Sequence, residues 1–289
     1  MRGTGDGVRP LGARPAPPRP SSRKVSSREG GGTFGRDPEA YDRARLPYPD
    51  RVYEVLVDRC GLGPGTVTFE IGPGTGIATR ELLRRGARPL TLIEPDRRLV
   101  RFLRSHLPCR PGEVSFRPGR FEEVPLPSAH FDLGVAATSF HWLPQARALR
   151  KVARALRPGG WWATWGNVHG DPFRPRPFLD ALQRLYRQLY GPRSRRRGPV
   201  QEEADERRQL EALRATGHFD RIRLEALHWD VELPSERVQA LWGSFSEILV
   251  LPDRRRRWFL TELGRVVEEG FSGRVPIPIL TPLYTARRR

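Results

Sequence analysis

The stretch "VTFEIGPGTGIATRELLRRG", Val67 to Gly86, places three glycines between an apolar run and a helical run. A short buried strand that turns sharply into a helix is typical of a loop that approaches a ligand. Gly72 allows the sharp turn, and Gly74 and Gly76 remove Cβ atoms where a ligand would lie against the backbone. The stretch therefore predicts a binding loop for a flat or extended molecule.

The spacing of the glycines narrows the class of ligand. A dinucleotide loop has glycine at the sixth position of GxGxxG, where this chain has Ile77, and a P-loop would need GK[ST], which does not follow. The next apolar run ends in Glu94, 22 positions after Gly72. An acid about 20 residues beyond the first glycine accepts hydrogen bonds from ribose hydroxyls. The pair predicts a nucleoside ligand without a pyrophosphate.

Short apolar runs and helical segments alternate between residues 67 and 167. The runs that read as strands are "TVTFEI", "PLTLIE", "VSFRP", "FDLGVAA" and "WWATWG". This alternation predicts an α/β fold, a doubly wound Rossmann-like sheet of about seven strands, mostly parallel with an antiparallel last strand. After Asn167 the rhythm changes, and we expect a helical cap insertion at about residues 171–220 before the closing strands return to the sheet.

Composition sets the outer limits of the fold. Of 289 residues, 37% are hydrophobic, which suffices for one globular domain. Residues 1–32 are rich in Arg, Pro, Gly and Ser and predict a disordered basic tail.

No apolar run of about 18 residues and no secretory leader is visible, so we expect a cytoplasmic protein without a membrane partner. Cys60 and Cys109 lack metal-ligand spacing, and we expect neither a disulfide framework nor a metal site.

The formal net charge of +18 raises nucleic acid as a partner. The basic residues, however, are scattered along the chain rather than interleaved with aromatic residues as in a single-strand-binding groove. Lys24 and Lys151 are the only lysines among 51 basic residues. This pattern favours solvated surface charge, and nucleic acid is not the expected partner.

Four segments resemble, in their linked order, the motifs of the class I S-adenosylmethionine-dependent methyltransferases. They are "FEIGPGTG", "IEPD", "GRFEEVPLPSAHFDLGVAATSFHW" and "ALRPGGWWATWGN", and the likeness is to the small-molecule branch that resembles trans-aconitate methyltransferase. The resemblance implies one methyltransferase domain over residues 33–289, with S-adenosyl-L-methionine as cofactor. It also implies O-, N- or C-methylation of a small molecule, for which a carboxylate or a phenol is suggested.

The resemblance carries a set of cofactor-binding positions onto this chain: Glu70, Gly72, Gly74, Thr75, Glu94, Phe121, Glu122 and Thr138. In the relatives the first motif lines the methionine part, the acid of the second holds the ribose, and the "GRFEE" loop lies at the adenine. Many relatives have an aspartate where Arg120 stands. The contact to the adenine amino group is therefore expected from the backbone or from Glu122.

The acceptor side offers fewer signals. His141 in "FHWLP" is a candidate general base, because an ordinary histidine pKa near 6.5 suits proton removal at neutral pH, with a packing or orienting role as the alternative. Tyr41 and Arg45 lie in a segment that relatives fold as a lid, where they can close on a carboxylate of the cofactor or of the substrate. Trp142 and Trp165 are candidate pocket walls or core residues.

Other functions remain open from sequence alone. The same fold and pocket can serve a cyclisation or decarboxylation in which the sulfonium is only a fixed charge. A basic nucleic-acid-binding protein that retains the site is a non-enzymatic alternative. Methylation of RNA is disfavoured, because "TSFHW" stands where base-amino methylases often carry an "NPPY"-like tetrapeptide. The sequence leaves the oligomeric state unspecified.

Overall fold

The computed structural model describes residues 34–191 and 199–289, with side chains from residue 205 onward in the second range. The predicted tail at 1–32 lies outside the described residues. The helices are α1 (Pro38–Ala44), α2 (Asp50–Cys60), α3 (Ile77–Arg84), α4 (Arg97–His106), α5 (Gln145–Ala155), α6 (Pro177–Tyr190), α7 (Pro199–Ala215), α8 (Ser235–Gly243), α9 (Ser246–Leu249) and α10 (Asp253–Phe271). The strands are β1 (Thr68–Ile71), β2 (Leu90–Glu94), β3 (Val114–Pro118), β4 (Phe131–Ala137), β5 (Leu156–Trp165), β6 (Val168–His169), β7 (Phe219–Pro234) and β8 (Arg274–Arg288).

Eight strands form one sheet, in which β3, β2, β1, β4 and β5 are parallel neighbours in that order. β8 lies antiparallel beside β5, and β7 pairs with the other edge of β8. The two-residue β6 pairs with β8 just beyond the end of β5, so it extends that edge. The predicted mostly parallel sheet with an antiparallel last strand is confirmed, with one short strand more than expected.

The topology of the sheet predicts where a ligand binds. All four residues of β1 are buried, as expected of a parallel strand covered by helices on both faces. From β1 the chain winds outward through β2 to β3, whereas from β4 it winds the other way to β5. In such sheets ligands bind outside the carboxyl ends of the strands where the winding reverses. Here that place is the crevice between β1 and β4.

The helical cap has a hydrophobic core of its own, which joins residues of α6, α8 and α10 to the first half of β8, including Phe178, Trp242, Phe259 and Ile277. The residues that form this cap differ from the predicted range of 171–220. Helix α7 packs on β7 and α5, and its Leu213 is buried in the core beneath the sheet. The cap is therefore built from two insertions on either side of β7, because the apolar residues of α7 match the sheet and not the cap.

Two further features concern the described residues as a whole. None of their helices combines the length and apolar character needed to cross a membrane. Within the same ranges, no group of three or more His, Cys, Asp or Glu side chains is arranged to hold a metal ion.

Candidate active site

A cavity of about 930 Å³ opens at the carboxyl ends of β1, β2 and β4 and extends beneath the cap. Most of the residues predicted for the site line this cavity: Tyr41, Arg45, Gly72, Gly74, Thr75, Glu94, Phe121, Glu122, Thr138, His141 and Trp142. Glu70 and Trp165 are not among the lining residues. The structure therefore brings together one large site from segments that are far apart in sequence.

The glycine loop between β1 and α3 is left-handed at all three glycines. Gly72, Gly74 and Gly76 have φ angles of +63°, +61° and +88°, a region that residues with a Cβ seldom adopt. A Cβ on Gly72 would lie 2.7 Å from Cβ of Ser139, so the loop after β4 packs directly on this turn. A Cβ on Gly74 would meet no protein atom within 4 Å. Gly74 therefore faces open cavity.

Glu94 ends β2 with its carboxylate against the glycine loop. Its Oε2 accepts the Gly74 N–H at 3.2 Å and its Oε1 accepts the Asp96 N–H at 3.0 Å. The residue is only 5% exposed. Burial raises the pKa of Glu94 to about 7, although both backbone hydrogen bonds favour the ionised form. The carboxylate thus ties two loops together at the cavity wall and keeps lone pairs for a ligand.

Glu70 lies behind the glycine loop rather than in the cavity. Its side chain is fully buried, and Oε2 accepts a hydrogen bond from Thr79 Oγ1 at 2.7 Å. Oε1 has no partner. Burial raises the pKa of Glu70 to about 7, the Thr79 hydroxyl opposes this, and the nearby Glu94 adds to it. Glu70 can act on a ligand through its charge, without direct contact.

The loop after β3 contributes a face and an acceptor at the far end of the cavity. Phe121 is 2% exposed and stacks nearly parallel to Phe69, with 6.3 Å between ring centroids, so most of its ring belongs to the core. Glu122 Oε2 is buried without a hydrogen-bond partner, and its other oxygen lies 3.5 Å from Arg120 Nη2. An unpaired buried carboxylate oxygen in a cavity wall is a ready acceptor for a ligand N–H group.

The segment before α2 covers the glycine loop from above. Arg80 on α3 pairs with Asp42 of α1 at 2.8 Å and donates to the Thr75 carbonyl at 3.0 Å. These two contacts hold α1 over the loop. The Thr75 hydroxyl in this loop is buried and has no hydrogen-bond partner.

Arg45 brings a positive charge to the cap side of the cavity. Its guanidinium carbon lies 4.9 Å from the ring centroid of Tyr41 and 4.8 Å from that of Phe245. One nitrogen donates to the Ser244 carbonyl at 3.2 Å, while Nε is buried without a partner. Among the described side chains no carboxylate forms an ion pair with Arg45. Stacking between two rings holds a guanidinium in place and leaves its edge for an anion.

The remaining predicted residues take two positions. His141 is exposed at the cavity mouth, beside Trp142 with ring centroids 4.8 Å apart. Trp165 is 3% exposed in the core, where its ring meets Tyr48 and Tyr53 edge to face at 5.9 and 6.1 Å. Trp165 therefore reaches the cavity only through Tyr48.

The lining residues Tyr48, Phe245 and Glu247 have no counterpart in the sequence predictions. Tyr48 lies in the same lid segment as Tyr41 and Arg45, so its position in that segment could have identified it as a site residue. Phe245 and Glu247 lie on the cap, about 200 positions later in the chain. No local spacing connects them to the glycine loop.

Residues 69–164 match a family model described as a methyltransferase domain. An uncharacterised methyltransferase of Mycobacterium bovis is 33% identical over 164 residues, which is 51% of this chain and 64% of that protein. The match thus spans less than two thirds of that relative's length. An uncharacterised methyltransferase of Schizosaccharomyces pombe is 24% identical over 89% of this chain and 98% of its own. A solved structure from Anaeromyxobacter dehalogenans, provisionally named a type II methyltransferase, has the same fold, with a TM-score of 0.57 and 22% identity over 85% of this chain and 97% of its own.

Proposed function

We propose that this chain carries a class I S-adenosylmethionine-dependent methyltransferase domain and that it transfers a methyl group from S-adenosyl-L-methionine to a small molecule. When bound, the donor would supply a methyl group on a positively charged sulfur, and the neutral thioether S-adenosylhomocysteine would leave when the methyl group is transferred. The protein's own residues then have to bind both molecules, align them and exclude water.

The contact that carries the proposal joins Glu94 to Gly74 across the floor of the cavity. It keeps the acid beside the bare backbone turn, where a ribose can use the carboxylate while the rest of the ligand lies over Gly74. The unpaired oxygen of Glu122 suits the adenine amino group, and the unpaired hydroxyl of Thr75 suits the methionine part. The buried charge of Glu70 would favour a cationic ligand. These residues fit a sulfonium nucleoside.

On the acceptor side, Arg45 supports a carboxylate or a phenolate as the group that is recognised. The guanidinium is held between Tyr41 and Phe245, and Tyr186 and Tyr190 add apolar wall from the cap. A planar acidic molecule would satisfy both the charge and the rings. His141 at the mouth would take the proton when the attacking atom carries one.

Calorimetry with the purified protein tests the donor. We expect one equivalent of S-adenosylmethionine and one of S-adenosylhomocysteine to bind competitively. Absence of binding for both ligands would overturn the proposal. A screen of carboxylates and phenols with methyl-labelled donor tests the acceptor, and a product heavier by one methyl group separates transfer from a cyclisation or decarboxylation in the same cavity.

A further inference from the structure

Thr138, the first residue after β4, has a backbone conformation that is rare for its type. Its φ angle is +53°, and a β-branched residue in the left-handed region is strained unless its surroundings impose it. The Thr138 N–H donates to the Trp165 carbonyl at 2.7 Å, which holds the backbone in place. In this conformation Thr138 Oγ1 lies 2.7 Å from the hydroxyl of Tyr48. Strain retained at a cavity wall suggests a function.

The phenol of Tyr48 is the partner of this strained residue, and it is fixed at both ends. Its hydroxyl is hydrogen-bonded to Thr138, and its ring packs edge to face on buried Trp165, with an interplanar angle of 87°. Burial raises the pKa of Tyr48 well above its ordinary value, so the phenol keeps its proton.

A chain of hydrogen bonds also holds the backbone before Tyr48. Asn167 donates to the Pro47 carbonyl at 3.1 Å and accepts a hydrogen bond from Thr281 Oγ1 at 2.7 Å. Thr281 in turn accepts from Trp229 Nε1 at 3.0 Å. This chain connects β7 and β8 to the loop before α2. A side chain that is held at its ring, its hydroxyl and its backbone is preorganised, as functional positions require.

The position of Tyr48 and Thr138 relative to the sheet indicates which part of the donor they contact. Tyr48 and Thr138 both line the cavity, and the residue after Thr138 packs directly against Gly72. β4 is the neighbour of β1 on the side away from β2 and β3. With the nucleoside over β2 and β3 and the methionine part over β1, as proposed above, the two hydroxyls lie at the end of β4, next to the glycine loop. One hydrogen bond between two hydroxyls leaves one O–H and further lone pairs for a ligand.

We propose that Tyr48 and Thr138 form a hydroxyl pair that positions the sulfonium methyl group of the donor and so distinguishes the donor from its demethylated product. The inference rests on the proposed function. A positive sulfur polarises the C–H bonds of its methyl group, and these bonds make weak hydrogen bonds to oxygen. The product has neither the charge nor the methyl group. The pair should therefore contribute to the affinity for the donor and not to that for the product.

Dissociation constants for S-adenosylmethionine and S-adenosylhomocysteine, measured by calorimetry, test this selectivity. Tyr48→Phe and Thr138→Val should each weaken donor binding about 2- to 5-fold, the range for one weak hydrogen bond, and leave product binding unchanged. Thr138→Ser keeps the hydroxyl and should keep the wild-type ratio. Tyr53→Phe is the matched control, because Tyr53 packs on the same Trp165 but lies outside the cavity wall.

The outcomes separate this inference from the function on which it rests. Equal weakening of both ligands would indicate a purely structural role, and an unchanged ratio in Tyr48→Phe would leave the pair without a role in selectivity. Either result overturns the inference while the proposed function stands. If the wild-type protein binds neither ligand, both fall. Should Tyr48→Phe fold poorly, the comparison of Thr138→Ser with Thr138→Val gives the same test.

Discussion

The two halves of the cavity are built in different ways. The half assigned to the donor comes from consecutive strand–loop–helix units between residues 71 and 122, and backbone groups at strand ends form much of it. The half assigned to the acceptor combines the α1 segment, residues 141–143 after β4 and the cap, as in the hydrogen bond between Arg45 and Ser244, 199 positions apart. Donor binding therefore depends on the sheet itself. On this assignment acceptor binding depends mainly on the cap helices, whose hydrophobic core is separate from the core of the sheet.

The largest expected effect comes from filling the donor half at its open glycine. Gly74→Leu would place a side chain where no protein atom lies within 4 Å, in the space proposed for the ligand. We expect affinity for S-adenosylhomocysteine to fall on the order of 100-fold or more, which is about 3 kcal/mol or more, because the Leu side chain would occupy the volume of the ligand itself. Calorimetry measures the loss.

Gly61 provides a matched control for that substitution. It follows α2 with a φ angle of +72° and also has no atom within 4 Å of a Cβ, but it lies away from the cavity. Gly61→Leu should therefore lose a similar amount of stability in denaturant unfolding, about 1–2 kcal/mol for the left-handed conformation, and keep full ligand affinity. Equal loss of binding in both variants would mean that Gly74 acts only through the fold.

A smaller effect should follow from removing the acid that faces this glycine. Glu94→Ala leaves the ribose site without its acceptor, and we expect affinity for S-adenosylhomocysteine to fall by about 1–3 kcal/mol, the usual cost of an unpaired buried polar partner. Glu123→Ala is the control, because its side chain is 71% exposed and lies in the neighbouring loop. Unchanged affinity in Glu94→Ala would refute the ribose assignment.

The same contrast explains how much could be predicted from sequence. The strand–glycine–helix pattern and the acid at Glu94 are local signals, and the predicted sheet and the methyltransferase resemblance are both confirmed. The trans-aconitate branch stays a prediction. The cap could not be bounded, because the packing of α6 on α10 rather than on α7 depends on long-range burial that periodicity does not encode. For the same reason Phe245 was missed as a cavity residue, whereas Tyr48 lies in the predicted lid segment and could have been included.

The smallest effect on ligand binding concerns the carboxyl group buried behind the donor half, whose removal should change the stability of the protein instead. Burial raises the pKa of Glu70 from 4.5 to about 7, so between these values the folded protein holds a proton that the unfolded chain releases. The stability contributed by this proton is complete below pH 4.5 and is lost as the pH rises through 7.

Glu70→Gln removes the titrating group and can still accept the hydrogen bond from the Thr79 hydroxyl. We therefore expect the ligand-free variant to match the wild type near pH 4 and to exceed it by up to about 3 kcal/mol at pH 8, since each unit of the pKa difference is worth about 1.4 kcal/mol. Chemical denaturation at the two pH values decides the matter, and an advantage of equal size at both would mean that Glu70 is not the titrating group. A variant that is more stable but binds S-adenosylmethionine less tightly would indicate that the donor half maintains this buried charge for its cationic ligand.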